Sequence, residues 1–354
     1  MASSREGRRR FDRFWGDLAA VSDKVVPRIV VATNMYPSPS DPAWGAFVRA
    51  QVEALQQLGT AVDVLTIDGR ATNLNYVKGI YELRRRVADF RADFVYAFYG
   101  LTGWVALWQP APVILSLAGD DILGTPDGRG GITTKSRVGV FLSQWAAWRA
   151  KVVCVQSEEM RQRLWGGMAS RAHVVPYGVD PQRFHPGDRS AARRRLGIPV
   201  DEKLVIFPNT PQEPRKRLDL AEAAMKLVAR EIPVARLRIV TKVPHGDMPD
   251  YFRAADCCLL TSDWEGSPNV VKEALMSGVP VVTTDVGDVR RWIPLASGSS
   301  ITGREPADIA KGILKAFESP GHDPRPFVDA ISSRAMALKV LALATRPVTD
   351  EGSR

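Results

Sequence analysis

The sequence is short of several features, and each shortage narrows what it can encode. No apolar run among its 354 residues reaches the ~18–20 positions a membrane-spanning helix needs. The basic N-terminus is not followed by an apolar core, so it does not read as a secretory signal. Only Cys154, Cys257 and Cys258 carry thiols. They sit in apolar runs without metal-ligand spacing and read as buried thiols of a reducing, cytoplasmic protein. The histidines are equally few: His173, His185, His245 and His322 read as structural or exposed rather than catalytic. Gly-x-Gly-x-x-Gly, a Walker loop, His-Glu-x-x-His and paired Cys-x-x-Cys are all missing. So are repeats and low-complexity tracts.

What remains is a globular balance of 45% hydrophobic and 25% charged residues, in a chain long enough for about two domains. The net charge of +9 suits nucleic acid, an acidic membrane or a phosphorylated substrate, or merely keeps the surface soluble. No basic motif is interleaved with aromatics, so no nucleic-acid partner is expected. Residues 1–27 stand apart from the rest. There Arg8-Arg9-Arg10 precedes Phe11, Phe14, Trp15 and Leu18 at helical spacing. This reads as a disordered leader with one locally packed helix, or as a segment lying on an anionic membrane surface.

From Arg28 onward strands and helices alternate, the pattern of parallel sheets covered by helices. Strands are expected at 28–33, 61–67, 94–98, 113–117 and 152–156, with a helix over 44–58 stopped by Gly59. A second cycle has strands at 204–207, 237–240, 257–261 and 279–283, and helices at 218–230 and 268–276. The turn-rich residues 177–186 form a linker between the units 28–176 and 187–325. One more helix is expected over 327–343, within a tail spanning 326–354. Two such α/β units make a cleft at the carboxyl ends of their strands, where ligands bind.

The most informative stretch runs from Ser262 to Val282. Ser267 suits an N-cap and Pro268 the first helical position. Val270, Val271, Ala274 and Leu275 form a buried stripe, from which Glu273 points about 130° away by helical geometry. Glu265 stands in the loop before the helix. The free N–H groups of the first turn, Ser267 to Val270, make an anion site. Two carboxylates flanking a phosphate-binding helix start fit a nucleotide sugar, since carboxylates accept hydrogen bonds from sugar hydroxyls.

This stretch resembles the Glu-x7-Glu signature of retaining GT-B glycosyltransferases of the large family 4. Val174–Asp180 with Phe184 and Pro186, and Val243–Asp256, are similar to neighbouring segments of that family. Thr33–Pro37 with Gly45–Val48 is similar to a branch acting in bacterial cell-surface polysaccharide synthesis. The resemblance implies an α/β GT-B fold of two Rossmann-like domains, with an N-terminal acceptor domain and a C-terminal donor domain. It implies that Glu273 binds the donor ribose and Glu265 the transferred sugar. Backbone at Gly266, Ser267, Pro268, Asn269 and Val270 approaches sugar and phosphate, and Arg215 or Lys216 neutralises the leaving diphosphate. Gly45 lets the first loop approach that phosphate, and Asp120 touches the acceptor.

Two departures from the pattern stand out. Thr210-Pro211 occupies the region where the family often carries an Arg, and Ala118 the place of its usual His. No Asp-x-Asp is present, the metal and diphosphate anchor of the other main glycosyltransferase fold, so no metal or other cofactor is expected. The expected partners are a UDP- or GDP-sugar and a lipid-linked or glycan acceptor, with peripheral contact to the inner face of the membrane. Two other readings stay open: a binding protein of this fold with impaired catalysis, and a nucleotide-sugar 2-epimerase.

Overall fold

The computed structural model describes residues 27–39, 41, 44–125, 131–209 and 213–345. The basic-aromatic leader and Thr210-Pro211 lie outside the described residues. The N-terminal domain runs β1 (Arg28–Thr33), α1 (Ala46–Gln57), β2 (Ala61–Thr66), α2 (Leu74–Phe90), β3 (Phe94–Phe98), α3 (Gly100–Ala106), β4 (Val113–Leu117), α4 (Gly119–Leu123), α5 (Thr134–Arg149), β5 (Val152–Val155), α6 (Glu158–Gln162) and β6 (Ala172–Val174). Its strands are all parallel, in the order β2-β1-β3-β4-β5-β6.

The C-terminal domain runs α7 (Arg189–Leu196), β7 (Lys203–Phe207), α8 (Leu218–Glu231), β8 (Ala235–Ile239), α9 (Met248–Ala254), β9 (Cys257–Leu260), α10 (Asn269–Met276), β10 (Val281–Thr284), α11 (Val289–Trp292), β11 (Ser300–Thr302) and α12 (Pro306–Phe317). Its parallel sheet is ordered β11-β10-β9-β7-β8. Two helices follow, α13 (Arg325–Ile331) and α14 (Ser333–Thr345).

Every residue of β3, β4, β5, β9 and β10 is buried, as expected for central parallel strands with helices on both faces. The three cysteines are free and buried in these strands, and burial pushes the Cys154 thiol up to about 12. The strands 94–98 and 113–117 fall where the sequence places them, whereas the strand expected at 237–240 begins earlier, at Ala235. The edge strands β6 and β11 were not expected. Each has only three residues, too few for a periodic signal.

The helix expected over 327–343 is in fact two helices. Ser332 is extended (φ −67°, ψ 151°) because the interdomain segment threads past it. The amide of Val179 donates to the Ile331 carbonyl, and the Ser333 amide donates to the Val179 carbonyl. Gly178 is needed there, since a Cβ would fall 2.5 Å from the Ser333 Cα. The break lets the tail serve both domains. Phe327 and Ile331 of α13 pack in the C-terminal core. Met336, Ala337 and Val340 of α14 pack with Val48, Val52 and Leu55 of α1 in the N-terminal core.

The chain therefore crosses between domains twice, side by side, and its last helix completes the first domain. Met336→Ala should then lower stability by about 2–5 kcal/mol, the usual cost of emptying a buried Met site. Met336 is 1% exposed, and a denaturant midpoint shift worth under ~0.5 kcal/mol would show that α14 does not support the fold.

Candidate active site

A cleft of about 1050 Å³ lies between the domains, at the carboxyl ends of their strands. Its N-terminal wall includes Met35, Gly45, Phe47, Tyr99 and Ala118–Asp120. Its C-terminal wall includes Asn209, Glu213–Lys216, His245, Trp264–Val270 and Glu273. This matches the switch-point rule, since in each sheet the strand order reverses beside the first strand of the domain. The structure thus places Gly45, Asp120, Arg215, Lys216, Glu265, Glu273 and the backbone from Gly266 to Val270 on one cleft.

The cations are held by backbone before they are held by charge. Pro214 opens a short 3-10 turn that Arg217 closes in the left-handed region (φ 52°). The Thr261 hydroxyl, just past β9, lies 2.9 and 2.8 Å from the carbonyls of Lys216 and Arg217. The Asp263 amide donates to the Arg215 carbonyl at 2.8 Å. Arg217 and Arg304 both bind Asp263, locking the turn from outside the cleft.

Lys216 and Arg215 converge on one carboxylate. The Lys216 Nζ donates to Glu265 Oε1 at 2.7 Å, and Arg215 reaches Oε2 at 3.1 Å. The Ser262 hydroxyl adds a bond to Oε1 at 2.8 Å. Burial alone would raise the Glu265 carboxyl, but Lys216 and Arg215 outweigh it and hold it below the usual range. Arg215 also pairs with Glu213 at 2.9 Å and lies over the Trp264 ring.

Three expectations for the signature helix, and one for a histidine beside it, need correction. Ser267 is not its cap: Pro268 occupies that position, and the Ser267 hydroxyl donates to Asp288 instead, at 2.9 Å. Val270, assigned to the buried stripe, is only half-buried at the cleft, while Val271, Lys272, Ala274 and Leu275 are buried. Glu273 is itself 8% exposed, because α10 is enclosed on nearly every side. The buried Lys272 Nζ donates to the Tyr177 carbonyl at 2.6 Å, and burial pushes its pKa down to about 8. Finally, His245, read above as structural or exposed, stands at the site. It lines the cleft, its Nε2 3.1 Å from Glu273 Oε1 and its ring against Phe184. Its local sequence signal is the Val243-Pro-His stretch.

Glycines allow the walls to meet. A Cβ on Gly45 (φ 72°) would lie 2.4 Å from the Met35 carbonyl, so only glycine brings the start of α1 against the first loop. A Cβ on Gly266 would come 3.5 Å from the Cα of Gly119, so the two domains touch there backbone to backbone.

Beside Gly119, desolvation pushes the Asp120 carboxyl up although the residue keeps an exposed edge, with Arg215 opposing the shift. Its neighbour Asp121 accepts a bond from the Ala118 amide at 2.8 Å, and burial pushes it to about 7. Among the cleft residues that the sequence left unremarked, Asn209 follows β7 and is 7% exposed. Position at a strand's carboxyl end was the available clue.

The comparisons agree with this geometry. Residues 28–178 match the glycosyl transferase 4-like domain, and residues 203–319 match glycosyl transferases group 1. A teichuronic acid biosynthesis glycosyltransferase, TuaC of Bacillus subtilis, is 27% identical over 74% of this chain and 82% of its own length. The fold is similar to that of sucrose-phosphate synthase from Thermosynechococcus elongatus (TM-score 0.71, 19% identity, 90% of this chain and 98% of that one). It is also similar to Anabaena HepE in complex with UDP and glucose (TM-score 0.64, 15% identity, 90% of this chain and 99% of that one). This chain belongs to the GT-B glycosyltransferases: it is an enzyme of two Rossmann-like domains with its site between them.

The Asp121 shift predicts a pH effect of defined sign. A carboxyl whose folded pKa is raised favours folding below its unfolded value near 4 and loses that contribution as pH rises through about 7. Asp121→Asn keeps an acceptor for the Ala118 amide but carries no charge. Relative to the wild type it should gain on the order of 1–3 kcal/mol between pH 5 and pH 8. Parallel stability curves for the two proteins over that range would contradict the assignment.

Proposed function

We propose that this enzyme transfers a sugar from a UDP- or GDP-sugar to an acceptor hydroxyl with retention of anomeric configuration, in cell-surface glycan or glycolipid synthesis. The observation that carries the reading is the pair of cations, Arg215 and Lys216, fixed on Glu265 directly across the cleft from Asp120. Glu273, with His245 against it, binds the donor ribose. Glu265 receives hydroxyls of the transferred sugar. The backbone from Gly266 to Val270 meets sugar and phosphate at the start of α10, where first-turn amides have no helical acceptor. Gly45 brings the start of α1 toward the diphosphate, and Asp120 meets the acceptor.

The chemistry is a substitution at the anomeric carbon. The bond from that carbon to the diphosphate oxygen breaks while the acceptor oxygen attacks the same face. The acceptor proton passes to an oxygen of the departing diphosphate. Negative charge therefore grows on the diphosphate, where Arg215, Lys216 and the start of α10 stabilise it. Positioning does the rest, and no step calls for a metal. The similarity to a teichuronic acid biosynthesis glycosyltransferase and to a fold solved with UDP and glucose supports this reading. On this reading the enzyme works in the cytoplasm, at the inner face of the membrane, on a lipid-linked or glycan acceptor.

Ala118 favours a second reading, because the family's usual His is replaced by a side chain without a polar atom. In that case the protein binds nucleotide sugars without transferring them. One experiment separates the readings: UDP- and GDP-sugars are incubated with the enzyme, with and without a lipid-linked acceptor, and products are examined by NMR. The expected product carries the donor's anomeric configuration. An inverted linkage would overturn the retaining mechanism, a 2-epimerised sugar would make the protein an epimerase, and binding without any product would make it a binding protein.

A further inference from the structure

The outer face of α5 has the wrong composition for a helix turned to water. Its residues Val138, Phe141, Trp145 and Trp148 are 57%, 56%, 36% and 58% exposed. At 100° per residue they fall within about 80° of the helix circumference, one continuous stripe. The opposite face, with Ser143, Ala146 and Ala147, is the one that packs inward. Single exposed apolar side chains need no explanation, but an exposed aromatic stripe does. Val200, Val234, Ile239 and Leu295, in the C-terminal domain, lie on separate elements or loops.

The stripe continues beyond α5. Trp165 is 48% exposed and its ring lies 5.8 Å from that of Phe141. Helices α2, α3 and α5 lie side by side over one face of the N-terminal sheet, above the same core cluster. The outermost, α2, exposes Leu74, Val77 and Tyr81 at 66%, 60% and 75%, again at helical spacing.

The charge around the stripe is of one sign. Helix α5 contains Lys135, Arg137 and Arg149, all exposed, and neither Asp nor Glu. Arg149 stands over the Trp148 ring. The acids of α2 and α6 are paired, Glu158 with Arg161, Glu159 with Arg163, Glu82 with Arg86 and Asp89 with Arg85, while on α4 Asp120 lines the cleft and Asp121 accepts from the Ala118 amide.

The geometry points to α5 as a docking face for an anionic bilayer, with its aromatic stripe entering the headgroup region and its cations meeting lipid phosphates. Tryptophan and cations on one exposed face fit that boundary, where rings have an apolar body and a polar edge. A polar protein partner would match the cations but not the stripe, and a neutral apolar partner the reverse. Helix α5 packs against α4, which carries Asp120 into the cleft, so docking would bring the acceptor side of the cleft to the membrane. The docking does not depend on which sugar or acceptor is used, and its test needs no transfer reaction.

The test uses the full chain and vesicles of phosphatidylcholine with or without phosphatidylglycerol, read by co-sedimentation. The wild type should bind the anionic vesicles, more weakly as salt rises, and bind neutral ones poorly. Phe141→Ser, Trp145→Ser and Trp148→Ser together should weaken anionic binding at least about tenfold, with an unchanged thermal midpoint. Lys135→Gln, Arg137→Gln and Arg149→Gln together should remove the preference for anionic lipid. Phe14→Ser with Trp15→Ser in the leader should leave most of the binding. Wild-type binding by the aromatic triple variant would overturn the proposal. So would equal binding of the wild type to both vesicles, or loss of binding on changing the leader alone. A dimer in sedimentation that the same triple variant dissociates, without effect on vesicle binding, would assign the face to a second copy instead.

Discussion

The ion pair between Lys216 and Glu265 is the contact on which the C-terminal wall of the cleft depends. The two side chains are 13% and 11% exposed, so each is costly to keep charged without the other. Removing one partner of such a pair costs roughly 3–5 kcal/mol, because it strands a buried charge. Glu265 also collects Arg215 and Ser262, so one carboxylate fixes both cations. In the proposed function a diphosphate entering the cleft would compete with Glu265 for those cations, and the carboxylate it displaced would accept hydroxyls of the sugar beside it. The ground-state network is thereby an inverse image of the complex proposed, with each charge already near its place.

The scaffold holds this network by backbone as much as by side chains. The cations sit on a turn bonded to the end of β9, while Glu265 sits on the loop that follows the same strand. A rigid parallel strand thus sets the distance between them. The opposing wall is fixed by the two crossings at Val179 and Ser332, where the chain leaves and re-enters the first domain. With Lys272 bonded to the interdomain segment, α10 is tied to the crossing itself. Movement of one domain against the other would therefore act directly on the helix that carries Glu273.

Much of this was legible in the sequence, for physical reasons that also explain what was not. Central parallel strands are apolar at every position and short, so Phe94–Phe98 and Val113–Leu117 stood out at once. The Glu-x7-Glu stretch stood out because Gly, Ser and Pro punctuate it before an apolar helix. Periodicity could not show that α10 is enclosed on several sides, which made Glu273 look peripheral when it is buried. Nor could it show that Ser267 turns to Asp288, since that carboxylate lies 21 residues away. His245 was missed for the same reason: its significance lies in Glu273, a residue 28 positions on. Tertiary pairings between polar groups leave no local pattern, whereas burial of whole strands does.

The central claim is that Arg215 and Lys216 form the diphosphate site. Calorimetric titration of UDP against UMP, and of GDP against GMP, tests it most directly. For the nucleotide the enzyme uses, the diphosphate should bind about tenfold tighter than the monophosphate or better, as one charge-assisted contact would give. In the variant carrying Arg215→Ala and Lys216→Ala, that gap should collapse while monophosphate affinity stays near the wild-type value. A gap of undiminished size in the variant would contradict the account and place the diphosphate elsewhere in the cleft.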